Sequence, residues 1–207
     1  MIIAVDGPAA SGKGTIAKAL AAHYGLPHLD TGLLYRAVGI SVLRAGGDPS
    51  DEGEAFHACA FDEAMLTDPG LKSEAAGRAA SIVSAHPSVR ASLLERQRDF
   101  ARQAGGAVLD GRDIGTVIAP EAQAKLFVTA SPEVRARRRF EELERMGLIV
   151  TYDHVLGDIR ARDERDSGRG IAPLKQAEDA LLLDTSALDV EAAVATAIDL
   201  VEQRRKA

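Results

Sequence analysis

Residues 7–15 read Gly-Pro-Ala-Ala-Ser-Gly-Lys-Gly-Thr, directly after the apolar run Met1-Ile2-Ile3-Ala4-Val5. Glycines at 7 and 12 let the backbone turn tightly, so that successive N–H groups converge on one point. A helical stretch from about Lys13 to Tyr24 follows and adds its positive N-terminal end there. Lys13 supplies a mobile point charge. A buried strand, a glycine loop and a helix in that order form a phosphate-binding loop, and the chemistry they suit is the cradling of phosphate oxygens.

Three other segments carry charge where packing alone would not put it. Asp30-Thr31-Gly32-Leu33-Leu34-Tyr35-Arg36 opens a helix, with Thr31 as the expected cap and Arg36 suited to clamp a phosphate. Asp110-Gly111-Arg112-Asp113-Ile114-Gly115-Thr116 follows a buried strand, where an acid such as Asp110 can order water around Mg²⁺. Arg112 and Asp113 set a cation and an acceptor on adjacent residues, one for a phosphate and one for a base amine. Between Arg135 and Arg169 lie nine of the chain's 19 arginines, mixed with acids from Glu133 to Asp166. Some of these must be solvated helix pairs. Planar guanidinium groups nevertheless match the charge that phosphoryl transfer spreads over equatorial oxygens.

These residues need a scaffold. Apolar runs at Ile2–Asp6, Pro27–Asp30, Ala107–Asp110, Lys125–Thr129 and Ala180–Asp184 alternate with helical stretches, which predicts βαβ units and a parallel sheet. Helices are expected over about Ser88–Gln103, from Ser131-Pro132-Glu133 onward with Ser131 as cap, and from Asp189 to about Arg205. Residues 46–72 show no convincing strand and read as a loop or small insert. Residues 147–170, charged and holding Gly157, Gly168 and Gly170, read as a mobile lid.

With 207 residues the chain is expected to be one domain, built mainly from Ala, Leu, Ile and Val, since it has five Phe, three Tyr and no Trp. A net charge of −6 argues against a general nucleic-acid binder. Cys59 is alone, which excludes an intramolecular disulfide and a thiolate metal cluster and leaves it as a small apolar residue. His23, His28, His57, His86 and His154 have no metal-ligand spacing and are expected at the surface or at caps. With no basic leader and no apolar run of membrane-spanning length, a soluble cytoplasmic protein, with no membrane partner, is expected.

With these motifs taken together, the chain resembles the bacterial cytidylate kinases, a nucleoside monophosphate kinase family. Gly7–Thr15, Asp30–Arg36, Ser81 through Arg90, Asp110–Thr116, Arg162–Arg169 and Ile171-Ala172-Pro173-Leu174 occur in that family's order and spacing. The Gly14 that follows Lys13, where most such loops carry a metal-holding Ser or Thr, agrees with that class. The resemblance implies a three-layer α/β/α P-loop NTPase fold with a central parallel five-stranded sheet, a short monophosphate-binding insert within about 31–103 and an arginine-rich lid at about 147–170. It implies ATP-dependent phosphorylation of CMP and dCMP to the diphosphates, with Mg²⁺ accompanying ATP.

By the same resemblance ATP sits on Gly7, Pro8, Ala9, Ala10, Ser11, Gly12, Lys13, Gly14 and Thr15, and Mg²⁺ is reached through water from Thr15 and Asp110. Ser81, Arg90 and Asp113 read cytosine. Arg36 and Arg112 hold the monophosphate near Thr31, Asp166 and Tyr35 serve the sugar, and Lys13, Arg162 and Arg169 are the catalytic set. A monomer is the expected state. Other readings are a kinase of the same fold for UMP, AMP, dTMP or a non-nucleotide acceptor, a P-loop regulatory NTPase, and a non-enzymatic binding module. Arg90 with Asp113 favours cytosine. The absence of a guanine-reading N-K-x-D run speaks against the regulatory NTPase.

Overall fold

The computed structural model describes residues 1–206. Two compact units are present: residues 1–29 with 101–207, and residues 30–100.

The first unit is built on β1 (Ile2–Asp6), every residue of which is buried. Its first four residues, Ile2 to Val5, are apolar and have no solvent face to offer, so the strand belongs in the middle of a parallel sheet. It pairs in parallel with β3 (Ala107–Gly111) on one side and β4 (Ala124–Thr129) on the other. The strand β5 (Leu181–Asp184) extends β4, and β2 (His28–Asp30) flanks β3, which gives the order β2-β3-β1-β4-β5 among the described residues. The α/β/α class and the five strands expected from the sequence are those observed, with ends shifted by one residue at most.

Helix α1 (Lys13–Tyr24) and the C-terminal helix α8 (Val190–Lys206) cover one face of this sheet. Ile16, Leu20, Ala197 and Val201 close over Ile3, Val5, Leu126 and Val128. Capping follows the sequence at two other positions. Ser131 Oγ accepts the Val134 N–H to start α6 (Pro132–Arg145), and Asp189 Oδ1 accepts the Ala192 N–H at the start of α8.

Residues 147–170, read from the sequence as a lid, hold regular structure. They are mostly one helix, α7 (Tyr152–Gly168), capped by Thr151 and laid against α6 through Leu143, Ala136, Val155 and Ile159. Gly157 lies inside that helix. The tolerated cost of about 1 kcal/mol for a helical glycine is outweighed by this apolar stripe.

The second unit pairs α2 (Thr31–Arg44) with α4 (Glu74–Val83), followed by α5 (Pro87–Arg102). The acid-rich stretch read as loop contains the short helix α3 (Glu52–His57) and two 3₁₀ turns, 63–67 and 69–72. Its acids work as caps: Asp51, Asp62 and Asp68 each accept a backbone N–H at a turn start. Helix α4, capped by Ser73, was not foreseen; its alanine-rich run after Ser73-Glu74 was the available signal. Cys59 is half-buried and its thiol points to the Ala55 carbonyl at 3.4 Å.

Glycine is required where α2 crosses α4. A Cβ on Gly39 would lie 2.6 Å from the Ala79 Cβ and 2.9 Å from its carbonyl carbon. Gly39→Ala is therefore expected to lose about 1–2 kcal/mol in urea denaturation, overpacking outweighing the gain in helix propensity. Ala79→Gly would leave the backbone contact in place and is expected to recover little of that loss, whereas an unchanged midpoint in the Gly39→Ala variant would refute the contact.

Candidate active site

The phosphate loop leaves β1 at Gly7, whose φ of +153° goes with a close approach. A Cβ there would sit 2.0 Å from the Val128 carbonyl oxygen on β4. Gly12 (φ +88°) is the N-cap of α1 and offers no side-chain hydrogen bond to the helix, and no acid stands in the first turn. No side chain of the cap or of the first turn therefore answers the N–H groups at the start of this 12-residue helix. Ser11 is fully buried, and its hydroxyl finds no hydrogen-bond partner among the described residues. A buried hydroxyl with no internal partner suits an external oxygen ligand.

The loop is held from outside by carbonyl bonds. Thr185 Oγ1 donates to the Ser11 carbonyl at 3.0 Å, and Arg135 donates to the Ala9 carbonyl at 3.2 Å. Arg135 is buried and also makes two bonds, at 2.9 and 2.6 Å, to the carboxylate of Asp163 on α7. Sequence reasoning placed Arg135 in the arginine cluster without assigning it this bracing of loop and helix.

Asp110 is the fourth residue of β3, a strand buried throughout. A methyl group on Gly14 would lie 3.8 Å from its Oδ2, which places the carboxylate beside the start of α1. His28 Nε2 lies 2.7 Å from Asp110 Oδ1. This corrects the surface or capping role expected of His28: residues 28 and 110 sit on β2 and β3, neighbours in the sheet order, and the pair is largely buried. Thr15 is exposed near the start of α1. Among the described residues no three His, Cys, Asp or Glu converge as a metal cage. The hard oxygen donors of Asp110 and Thr15 fit a divalent cation held mainly by phosphate and water.

Asp6, the last residue of β1, is the site residue that motif reasoning missed. Its buried carboxylate accepts the N–H of Ile114 on Oδ1 and that of Gly115 on Oδ2, both at 2.8 Å. These open a π-helical turn over residues 114–118, immediately after Asp113, which is itself buried. Burial pushes the Asp6 carboxyl up to about 7; the two N–H bonds oppose this, as does Arg112, while Asp113 adds to it. Burial thus resists the charged form that the two N–H donors favour, and ionisation of Asp6 costs stability as pH rises from the ordinary 3.8 toward about 7.

The arginine cluster gathers around Asp166. Arg112 Nε donates to its Oδ2 at 2.7 Å, Arg162 Nε stands 4.0 Å from the same oxygen, and Arg169 Nε donates to its carbonyl at 3.3 Å. Burial disfavours the charged form of Asp166. The Arg112 and Arg162 guanidinium groups, with Arg169, outweigh that and hold its carboxyl below the usual carboxylate range. Other arginines of the segment are spent on structure. Arg139 pairs with Glu142 and Arg160 with Glu133, Arg138 donates to Thr185, and Arg137 stacks 4.6 Å from the Tyr152 ring centre.

Thr31, Tyr35, Arg36, Ser81 and Arg90 belong to the second unit. Asp30, not Thr31, caps α2 by accepting the Gly32 N–H at 2.9 Å; Thr31 is the first helical residue and is buried. The Asp side chain reaches back over the first turn from the extended residue, a position Thr31 has already passed. The Arg90 guanidinium lies 5.7 Å from the Tyr35 ring centre and donates to the Ser84 carbonyl. Arg36 donates to the carbonyls of Leu71 and Ser73, and Ser81 is buried on α4.

A parallel sheet with a glycine loop and lysine at the end of its central strand, and arginines gathered about one acid, defines a P-loop kinase, a phosphotransferase. A gluconokinase from Sinorhizobium meliloti 1021 shares this fold, with a TM-score of 0.52 over 97% of this chain and 91% of its own, at 16% identity. The family model for cytidylate kinase matches residues 3–203. The cytidylate kinase of Xanthobacter autotrophicus is 63% identical over 206 residues, 99% of each chain. That of Rhodopseudomonas palustris (strain TIE-1) is 60% identical over 99% of this chain and 97% of its own. The chain belongs to the cytidylate kinase family, which supports ATP-dependent phosphorylation of CMP and dCMP as its activity.

Removing the central counter-ion should show how the cluster is balanced. Asp166→Asn is expected to cost about 2–4 kcal/mol at pH 7, because it leaves buried guanidinium charge uncompensated. A carboxyl with a depressed pKa stabilises above its unfolded value and loses that contribution as pH falls through the folded one. The difference between variant and wild type in urea titrations should therefore close below about pH 3.8. A gap that persists undiminished at pH 2.5 would assign the loss to packing.

Proposed function

We propose that this protein moves the γ-phosphoryl group of ATP onto CMP and dCMP by direct in-line transfer, in pyrimidine nucleotide metabolism. The observation that carries this reading is the gathering of Arg112, Arg162 and Arg169 about the buried Asp166. Arginines held around one internal carboxylate are already placed for an external phosphate. No general base is needed, since a phosphate-monoester oxygen is already a nucleophile; positioning, charge neutralisation and exclusion of water suffice.

The roles follow residue by residue. Residues 7–15 take the phosphates of ATP, with Lys13 on the terminal ones and the Ser11 hydroxyl as a further donor. Thr15 and Asp110 are the residues that would hold Mg²⁺ through water, and the ion, when bound, neutralises charge on the transferring phosphate. Arg36 and Arg112 hold the monophosphate near Thr31. Asp166, with Tyr35, serves the sugar hydroxyls. Ser81, Arg90 and Asp113 read cytosine, whose O2 and N3 accept and whose amine donates; uracil would leave Arg90 and Asp113 mispaired. Arg162 and Arg169 gather the transferring phosphate.

The region 31–103 serves the monophosphate and 147–170 acts as the lid. The protein works as a cytoplasmic monomer on small molecules, without nucleic acid. Among the described residues no helix is long and apolar enough to cross a membrane.

ADP production from Mg·ATP with CMP, dCMP, UMP, AMP, GMP and dTMP offered singly, beside a control without acceptor, tests the reading. Turnover is expected with CMP and dCMP far above the others, in the range of about 1–100 s⁻¹. Preference for another acceptor would retain the kinase and overturn the base assignment; hydrolysis in the control alone would overturn both. In the same assay Arg169→Ala is expected to lower kcat by at least about 100-fold with a smaller change in KM. An unchanged kcat removes Arg169 from the transition state.

A further inference from the structure

Asp6 has a geometry that no phosphate-binding role explains. It stands one residue before Gly7, yet its carboxylate turns to the neighbouring loop and spends one oxygen on the Ile114 N–H and the other on the Gly115 N–H. A buried aspartate at a strand end is expensive, and its raised pKa reflects that cost. An apolar side chain would fill a core position next to Val5 with less penalty. What the carboxylate supplies is two acceptors in one plane, the one common side-chain group able to fix two successive N–H donors at once.

The close approach is confirmed from the other side. A Cβ on Gly115 would lie 3.4 Å from Asp6 Oδ2 and 3.1 Å from Lys125 Cδ, so the glycine lets the turn descend onto the carboxylate. Asp113 directly precedes the two tethered N–H groups. Its carbonyl accepts the N–H groups of Val117 and Ile118, which closes the turn beneath it. The peptide group between Asp113 and Ile114 is thereby held at both its ends, its N–H by Asp6 and its C=O by the turn, which fixes the backbone where it leaves Asp113.

We propose that Asp6 is a positioning residue for base selection: by holding the Ile114 and Gly115 N–H groups it sets the presentation of Asp113, and so the preference for cytosine over uracil. The inference rests on the assignment of Asp113 to the cytosine amine made above. It adds to that assignment a residue that touches no substrate and acts through the turn.

Asp6→Asn separates this role from a merely structural one. The amide is isosteric and carries no buried charge, so the fold tolerates it, but its NH₂ faces a backbone N–H, donor against donor. Backbone amide exchange at Ile114 and Gly115 is expected to quicken by about 10-fold or more at one of the two. KM for CMP should rise about 10–100-fold and the CMP-to-UMP ratio of kcat/KM should fall at least about 10-fold, with KM for ATP changing less than about threefold. Gly115→Ala displaces the same turn without altering any charge and is expected to give the same pattern; it carries the test if Asp6→Asn does not fold.

Unchanged exchange at both amides, or an unchanged CMP-to-UMP ratio despite faster exchange, would overturn the proposal. An equal loss toward ATP and CMP would overturn it as well, since Asp6 would then serve the phosphate loop in general. Should the wild type prefer another acceptor, the functional assignment fails on its own. Asp6 is then judged by amide exchange together with the preference between that acceptor and the next.

Discussion

The structure hangs on β1 being buried between two parallel partners. Its register against β3 sets Val5 opposite Asp110 and Asp6 opposite Gly111, and on its other side Asp6 lies opposite Phe127 of β4. The groups at the ends of the central strands inherit their places from that alignment. The phosphate loop starts where β1 stops, pressed by Gly7 onto the Val128 carbonyl of β4. Asp110 lies beside the start of α1 at Gly14, and the Asp113 turn is tied back to β1 through Asp6. A slip of one residue would reverse which side chains face each layer and separate all of these groups.

A second constraint is electrostatic. A site for phosphate needs cations, and guanidinium groups brought together repel one another until the ligand arrives. Asp166 answers this for Arg112, Arg162 and Arg169, and Asp163 does so for the buried Arg135. The acids scattered through the arginine-rich stretch are thus of two kinds. A few are internal counter-ions that keep the cluster assembled, and the rest, such as Glu142 and Glu133, are partners in exposed pairs worth little individually. Sequence spacing alone does not separate the two kinds, because both occur at helical intervals along the same segment.

Much of this was legible in the chain. The five strands, the phosphate loop and the starts of α6 and α8 follow from apolar runs, glycine positions and cap residues, all of which act over a few neighbouring residues. The stretch 46–83 was less so. Its acids were visible, but whether an aspartate solvates a loop or caps a turn depends on a backbone path set by the packing of Leu71, Ala76 and Phe61. The same holds for α7, where Gly157 signals flexibility locally while the apolar stripe against α6 decides for a helix.

The sequence by itself determined the family, the α/β/α class and the charged segments from which the proposed site is drawn, because those depend on residue types at short, regular spacing. Only the tertiary structure decided that Asp6 holds the turn after Asp113, that His28 lies against Asp110, that Asp30 rather than Thr31 caps α2, and that Arg135 braces the phosphate loop. Three of these four depend on hydrogen bonds between residues 82 to 126 positions apart. A hydrogen bond is directional and short, so which donor meets which acceptor at such separations is set by strand register and helix packing, not by anything written near either residue.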